Sequence, residues 1–104
     1  MSTALDALRA ARERVALGWT QGCLARDAEG AEVDPVSPQA TCWCAIGAID
    51  SVIGDENHAS LEAVTAMEWE LGSCELADFN DDPATTQADV LSLFDRAIAA
   101  MGGS

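Results

Sequence analysis

The most apolar continuous segment of the chain runs from Thr41 to Gly54, and Asp50 is its single charged residue. Its large apolar side chains recur at the helical step of three to four: Trp43, Ile46, Ile49 and Ile53. Small residues lie between them, at which other helices could pack closely: Ala45, Gly47 and Ala48. Upstream, Ser37-Pro38 is typical of a helix start, because Ser caps backbone N–H groups and Pro suits the first helical position. The segment therefore predicts a buried central helix that ends at Gly54, with more amphipathic helices around it.

Amphipathic patterns predict further helices on both sides of this segment. The first begins at Thr3 and ends at Gly18, another covers residues 59–71, and residues 74–79 form one more turn. After a loop at residues 80–83, a capping-box pattern over Thr86-Gln-Ala-Asp89 begins the last helix. The predicted inward side chains are Leu5, Leu8, Arg12, Val15 and Trp19; then Leu61, Val64, Met67 (or Glu68) and Leu71; then Val90, Leu93, Phe94, Ala97, Ile98 and Met101.

Residues 20–38 differ from the helical segments. Leu24 and Val33 lie on either side of a polar turn that contains Gly30, which predicts a short β-hairpin or an ordered loop. The predicted fold is therefore mainly α, a compact single domain of four to five helices over residues 1–104. The hairpin or loop lies between helices 1 and 2.

The charge of the chain is strongly one-sided, with 5 basic against 18 acidic residues and a net charge of −13. All the basic residues are arginines, and residues 35–104 hold one arginine and twelve acids, a net of −11. Such a surface repels nucleic acid and anionic lipid and attracts basic partners. A charge of this sign also keeps a small protein soluble, so charge alone supports two interpretations.

Nothing in the sequence predicts secretion or a membrane span. No apolar run is long enough to cross a bilayer, and the N-terminus is neither basic nor followed by an apolar signal core. The expected compartment is the cytoplasm, in which cysteines stay reduced. The four thiols concerned are Cys23, Cys42, Cys44 and Cys74.

The residues that most often carry catalysis or bind metal are sparse. Cys42 and Cys44 are two residues apart, and on a helix they would point about 200° away from each other, so buried structural thiols are favoured over zinc. His58 is the only histidine, and an acidic protein disfavours the thiolate that a Cys–His enzyme needs. There is no lysine for a Schiff base and no Gly-rich phosphate loop. We therefore predict no enzyme activity, no cofactor and no metal.

Four residues match part of a calcium-loop pattern. Asp78, Asn80, Asp82 and Asp89 fall at its positions one, three, five and twelve. However, Pro83 stands where the loop needs a glycine, and Asp89 is shorter than the preferred glutamate. The favoured interpretation is that Asn80 and Asp82 hydrogen-bond loop backbone and that Asp89 completes a helix cap.

Short blocks that together span nearly the whole chain are Trp19-Thr-Gln-Gly22, Ala25-Arg-Asp27, Gly30, Val33-Asp-Pro35, Trp43-Cys-Ala-Ile-Gly-Ala48, Asn80-Asp81 and Leu93-Phe-Asp-Arg-Ala-Ile98. Their order resembles that of a family of small bacterial and phage proteins of unknown function. The resemblance implies a shared compact fold and carries over no activity and no catalytic residue. The high acidity departs from the family pattern and suggests a specialised member. The phage association implies a protein that acts on a host or phage complex, as anti-CRISPR inhibitors and other small acidic DNA mimics do.

The favoured hypothesis is an acidic inhibitor that occupies the basic surface of a nucleic-acid-binding protein or ribonucleoprotein complex and does not itself bind nucleic acid. Its candidate partner-binding residues are Asp55, Glu56, Glu62, Glu68, Glu70, Glu75, Asp78, Asp81 and Asp82. A second hypothesis is a small ligand-binding or enzymatic domain with a pocket at Trp19, Trp43, Asn80 and Asp81. A third is a structural or regulatory protein, for example a homodimer that uses an exposed apolar stripe.

Overall fold

The amphipathic segments fold as helices in the computed structural model, which describes residues 4–53, 58–72 and 74–102, with 58–60 described by backbone alone. The helices are α1 (Ala4–Leu17), α2 (Ala45–Ile53), α3 (His58–Leu71), α4 (Leu76–Asp81) and α5 (Gln87–Ala100). Two strands, β1 (Ala25–Arg26) and β2 (Cys42–Trp43), pair antiparallel. The prediction of a mainly α single domain with a short hairpin between the first two helices is confirmed.

Helix α1 lies at the centre of the molecule, in contact with α2, α3 and α5. Alanines make this possible, because Ala4, Ala7 and Ala11 are buried and let three helices approach one helix axis closely. The sequence predicted that the apolar segment 41–54 is the central helix, and this is wrong. The predicted inward stripe of α1 is also rotated, since Leu5 and Arg12 are only half-buried.

The apolar segment is divided between a strand and a helix. Cys42 and Trp43 are extended because the backbone of Trp43 pairs with the residues that follow α1. The Trp43 N–H donates to the Gly18 carbonyl (3.0 Å), and the Trp43 carbonyl accepts from the Thr20 N–H (3.2 Å). Helix α2 therefore begins only at Ala45, and Ser37-Pro38 lies in a turn instead of starting it. The three small residues of α2 are buried as predicted: Ala45, Gly47 and Ala48.

The hairpin predicted around Gly30 is present. The Asp27 N–H donates to the Ala31 carbonyl (2.9 Å), the Gly30 N–H donates to the Asp27 carbonyl (3.0 Å), and Arg26 pairs with Glu32. Gly30 has a φ of +85°, a left-handed conformation that glycine adopts without strain. The other edge of β1 pairs with β2, so the hairpin is joined to the start of α2.

The C-terminal half follows the predicted boundaries closely. The capping box of α5 is complete, with the Asp89 N–H donating to Thr86 Oγ1 (3.2 Å) and the Thr86 N–H donating to Asp89 Oδ2 (2.9 Å). Asn80 and Asp81, predicted in a loop, instead form the last residues of α4. The predicted starts and stops at Thr3 and Gly54 lie outside the described residues. None of the described helices is long and apolar enough to cross a membrane.

Two predictions about inward side chains on the C-terminal helices are wrong. Leu61 is 68% exposed and Met101 is 37% exposed. The inner face of α3 is formed by Met67, as predicted, and by Ala63, both fully buried. This leaves apolar side chains of α3 on the protein surface.

Candidate functional site

Asn80 is the only polar residue that is buried in the described part of the chain, with 1% of its surface exposed. Its Oδ1 accepts from the indole N–H of Trp19 (2.8 Å) and from the Ala45 N–H (3.0 Å). Its amide group donates to the Thr20 carbonyl (3.1 Å) and to Asp81 Oδ1 (3.0 Å). Because Ala45 is the first residue of α2, Asn80 satisfies a backbone donor that the helix itself leaves free. One side chain thus joins α4, α2 and the turn after α1.

The turn at residues 19–22 is held against α4 by two further side chains. Asp81 Oδ1 accepts from the Gly22 N–H (3.0 Å), where Gly22 has a φ of +84°. The Gln21 side-chain amide donates to the carbonyls of Asn80 and Asp82, at 2.9 Å each. The carboxylate of Asp81, a predicted partner-binding residue, therefore also has a structural role in positioning this turn.

Arg26 holds the same turn from the β1 side. Its Nε donates to Thr20 Oγ1 (2.9 Å), and its two terminal nitrogens donate to the carbonyls of Gln21 (3.3 Å) and Gly30 (3.0 Å). The turn is thus fixed by an arginine on one side and by an asparagine and an aspartate on the other.

A cavity of about 190 Å³ lies beside this turn, with Gly22, Cys23, Cys44 and Asp81 among its walls. This volume is below the roughly 300–1,000 Å³ of pockets that take drug-sized ligands. The structure brings Trp19, Asn80 and Asp81 together as the ligand-pocket hypothesis requires. In this arrangement the indole N–H of Trp19 and both polar groups of Asn80 are already used inside the protein.

The side chain of Trp43, which the pocket hypothesis also names, does not line this cavity and has a structural role. Its indole N–H donates to the Pro35 carbonyl (3.1 Å), and the guanidinium of Arg14 stands 5.1 Å from the ring centroid. At that distance the arginine makes a cation–π contact. Trp43 therefore fastens the turn before β2 to the end of α1.

The cysteines are all free thiols. The predicted 200° separation of the Cys42 and Cys44 side chains assumed that both residues are on one helix. This is wrong, because Cys42 lies in β2 and Cys44 precedes α2. Cys44 Sγ accepts from the Gly47 N–H (3.2 Å), so this thiol takes the place of a capping serine. Within residues 4–53, 58–72 and 74–102, no group of three His, Cys, Asp or Glu side chains could hold a metal ion.

Burial raises the pKa of the Cys44 thiol, whereas Cys74 is exposed. We therefore expect iodoacetamide at pH 8 to modify Cys74 at least about ten times faster than Cys44, because the thiolate is the reacting form. Peptide mapping by mass spectrometry over a time course measures both rates, and urea-unfolded protein is the control, in which the two rates should converge. Equal rates in the folded protein would contradict this assignment.

Because the folded pKa of Cys44 is raised, its protonated thiol stabilises the fold, and that stability falls as pH rises above the ordinary thiol pKa.

The predicted partner-binding carboxylates fall into three groups. Three of them are exposed: Glu62 on α3, Glu75 at the start of α4 and Asp78 within α4. Glu70 on α3 is half-buried. Glu68, Asp81 and Asp82 have structural roles; Glu68 accepts from the Leu76 N–H (2.8 Å) at the start of α4, and Asp82 accepts from the Ala84 N–H (2.8 Å). Asp55 and Glu56 lie outside the described residues.

The arginines lie outside α3 and α4. Arg12 forms a bidentate ion pair with Asp95 of α5, with Nε 2.5 Å from Oδ1 and Nη2 3.3 Å from Oδ2. The hydrogen bond to Asp95 raises the pKa of Arg12. No lysine or arginine occurs between Arg26 and Arg96, so α3 and α4 present carboxylates without a cation of their own.

The sequence interpretation missed an apolar groove between α3 and the end of α5. Trp69 is 81% exposed, more than Leu61 (68%), and both line this groove with Met101. Its volume is about 550 Å³, and Glu62 and Glu70 also line it. We call it the α3–α5 groove. Leu61 and Trp69 are two helical turns apart, and this spacing was the one sequence signal that could have indicated a second apolar stripe on α3.

Comparison with known proteins places the chain in a family without giving it an activity. No curated protein and no solved structure matches it. A profile described as a family of unknown function, DUF6197, matches residues 1–100. This agrees with the unknown-function family that the sequence blocks indicated. The chain therefore belongs to the family of unknown function DUF6197.

Proposed function

We propose that this protein is an acidic inhibitor that binds the basic, nucleic-acid-binding surface of a partner protein or ribonucleoprotein, in the manner of phage-encoded anti-CRISPR proteins and other DNA mimics. The observation that carries the proposal is the placement of carboxylates on α3 and α4, neither of which contains a lysine or arginine. Glu62, Glu75 and Asp78 are exposed there, at the surface where a partner could reach them.

The physical argument rests on what such a surface attracts and repels. Carboxylates fixed on helices can occupy the positions that backbone phosphates take in a basic groove. The net charge of −13 disfavours a nucleic acid as the direct ligand, because the protein and a nucleic acid are both negatively charged and repel each other. Opposite charges speed the encounter with a basic partner and make the complex sensitive to salt.

The ligand-pocket alternative has less support. Its cavity is small, and the polar groups of Trp19 and Asn80 that would contact a ligand instead join parts of the fold. The third hypothesis, a homodimer, would bring two molecules of the same strong negative charge together.

The test is affinity capture of the tagged protein from nuclease-treated host lysate, followed by affinity measurements on the captured partner over a range of salt concentrations. The double variant Glu75→Lys/Asp78→Lys should weaken the complex at least about tenfold and flatten its dependence on salt. Added duplex DNA or RNA should displace the wild-type protein from the partner.

A matched control has the same change in net charge at a distant site. Glu13→Lys/Glu29→Lys reverses two exposed carboxylates on α1 and in the hairpin turn, and it should leave the affinity within about twofold. If both double variants weaken the complex equally, net charge and not this surface is responsible. A partner that ignores salt and nucleic acid would refute the proposed function.

A further inference from the structure

The α3–α5 groove combines an apolar floor with an acidic edge. Trp69 (81% exposed) and Leu61 (68% exposed) line it, and the carboxylates of Glu62 and Glu70 line it beside them on α3. An isolated exposed leucine is ordinary on a protein surface, but a groove of about 550 Å³ that contains an exposed tryptophan is typical of an interaction site. The groove does not overlap the Asn80 junction or the small cavity beside it.

Charge decides which class of occupant fits this groove. A second copy of the chain would place its own glutamates and its net charge of −13 against Glu62 and Glu70. A nucleic acid is disfavoured for the same reason. A partner segment that carries lysine or arginine beside an apolar stripe satisfies both the acidic edge and the apolar floor.

The dimensions of the groove indicate the shape of that segment. Leu61 and Trp69 are eight residues apart on α3, which is about 12 Å along the helix axis at 1.5 Å per residue. Apolar side chains at positions i, i+4 and i+7 of a partner helix span nearly the same length. Two turns of an amphipathic helix therefore match the distance between the two exposed apolar side chains.

We propose that the α3–α5 groove binds a basic amphipathic helix of the protein partner, with apolar side chains on Leu61 and Trp69 and with lysines or arginines at Glu62 and Glu70. This rests on the proposed function, since it names the part of the basic partner that the acidic protein recognises. It adds an apolar anchor, which gives the complex a component that salt does not remove.

The test uses a labelled synthetic peptide of about four helical turns, with leucines at i, i+4 and i+7 and lysines and arginines on its other faces. Binding to the full chain is measured by fluorescence anisotropy at low and high salt. Trp69→Ala should weaken binding about 30-fold, the usual size of a tryptophan hot spot, and Leu61→Ala should weaken it severalfold. Glu62→Gln/Glu70→Gln should weaken binding mainly at low salt.

Matched controls separate the groove from general apolar and acidic surface. Leu17→Ala removes a leucine that is 78% exposed on α1, and Glu13→Gln removes an exposed carboxylate there; neither should change the affinity. A peptide of the same composition with the leucines scattered around the helix should bind only at low salt.

Each other outcome overturns the inference in a recognisable way. If binding responds to Glu75→Lys/Asp78→Lys but not to Trp69→Ala, the groove is not the docking site and the proposed function still stands. If binding needs Trp69 but ignores the carboxylates at every salt concentration, the partner is not basic. Absence of peptide binding, or a homodimer in sedimentation that Trp69→Ala dissociates, also refutes the basic-helix proposal.

Discussion

Asn80→Ala is expected to lower the free energy of unfolding by about 3 kcal/mol, a large share of the stability of a domain of this size. The substitution removes the acceptor of the Trp19 indole N–H and of the Ala45 N–H, and the donor to the Thr20 carbonyl. Each buried polar group left without a partner costs about 1–3 kcal/mol. Urea denaturation followed by circular dichroism measures the loss, and the slope with urea shows whether the transition stays two-state.

The isosteric variant Asn80→Asp tests the same junction with a pH-dependent result. In this variant an oxygen takes the place of the side-chain NH2 group that donates to the Thr20 carbonyl and to Asp81 Oδ1. When the new aspartate is ionised, this oxygen faces the carboxylate oxygen of Asp81. Burial and this like charge raise its folded pKa, so the loss of stability is small at a pH below the unfolded value of about 3.9 and grows as the pH rises. Asp82→Asn keeps the oxygen that accepts from Ala84 and should change stability by less than about 0.5 kcal/mol. A loss below about 1 kcal/mol for Asn80→Ala would contradict the junction.

Gly47→Ala is expected to destabilise the fold by about 3 kcal/mol or more. A Cβ at this position would lie 2.0 Å from the carbonyl oxygen of Leu24 and 2.8 Å from its carbon. Both are backbone atoms, and that oxygen accepts a hydrogen bond from Cys44 (3.0 Å), so it cannot move away without breaking the contact between the hairpin and α2. Thermal and urea unfolding of the variant measure the effect.

The control for Gly47 is another glycine with no packing constraint. A Cβ on Gly30 would have no neighbour within 4 Å, so Gly30→Ala should cost only the roughly 1 kcal/mol of a left-handed conformation without glycine. A loss for Gly47→Ala as small as the loss for Gly30→Ala would show that the close approach of Leu24 to α2 does not constrain position 47.

Local signals in the sequence predicted the helical boundaries well where neighbouring residues alone determine them. The cap of α5 depends on Thr86 and Asp89, three residues apart, and both hydrogen bonds form. Gly72 ends α3 in a left-handed conformation, as a glycine after a helix predicts. Asp89 and Asp82 bind backbone, as the interpretation against a calcium loop predicted.

Nonlocal contacts account for the errors. Trp43 has helical spacing with Ile46, but hydrogen bonds from residues 18 and 20 make it extended, and no local pattern contains those bonds. Asn80 looked like a loop residue because asparagine is common in loops, whereas its four hydrogen bonds join segments up to 61 residues away in the chain. Leu61 and Leu8 are equally apolar, yet Leu8 is buried in the core and Leu61 is exposed.

The sequence by itself determined that this chain forms a mainly helical domain, that α3 ends before Gly72 and α5 begins at the Thr86 cap, and that the chain is strongly acidic. Periodicity, caps and charge are properties of neighbouring residues or of totals. Only the tertiary structure decided that the alanine-rich α1 is central, that Asn80 is a buried junction and that Trp69 lines a groove. Those outcomes depend on which faces meet. Close approach of helix axes, satisfaction of buried polar groups and exposure of an apolar side chain are each set by residues distant in the chain.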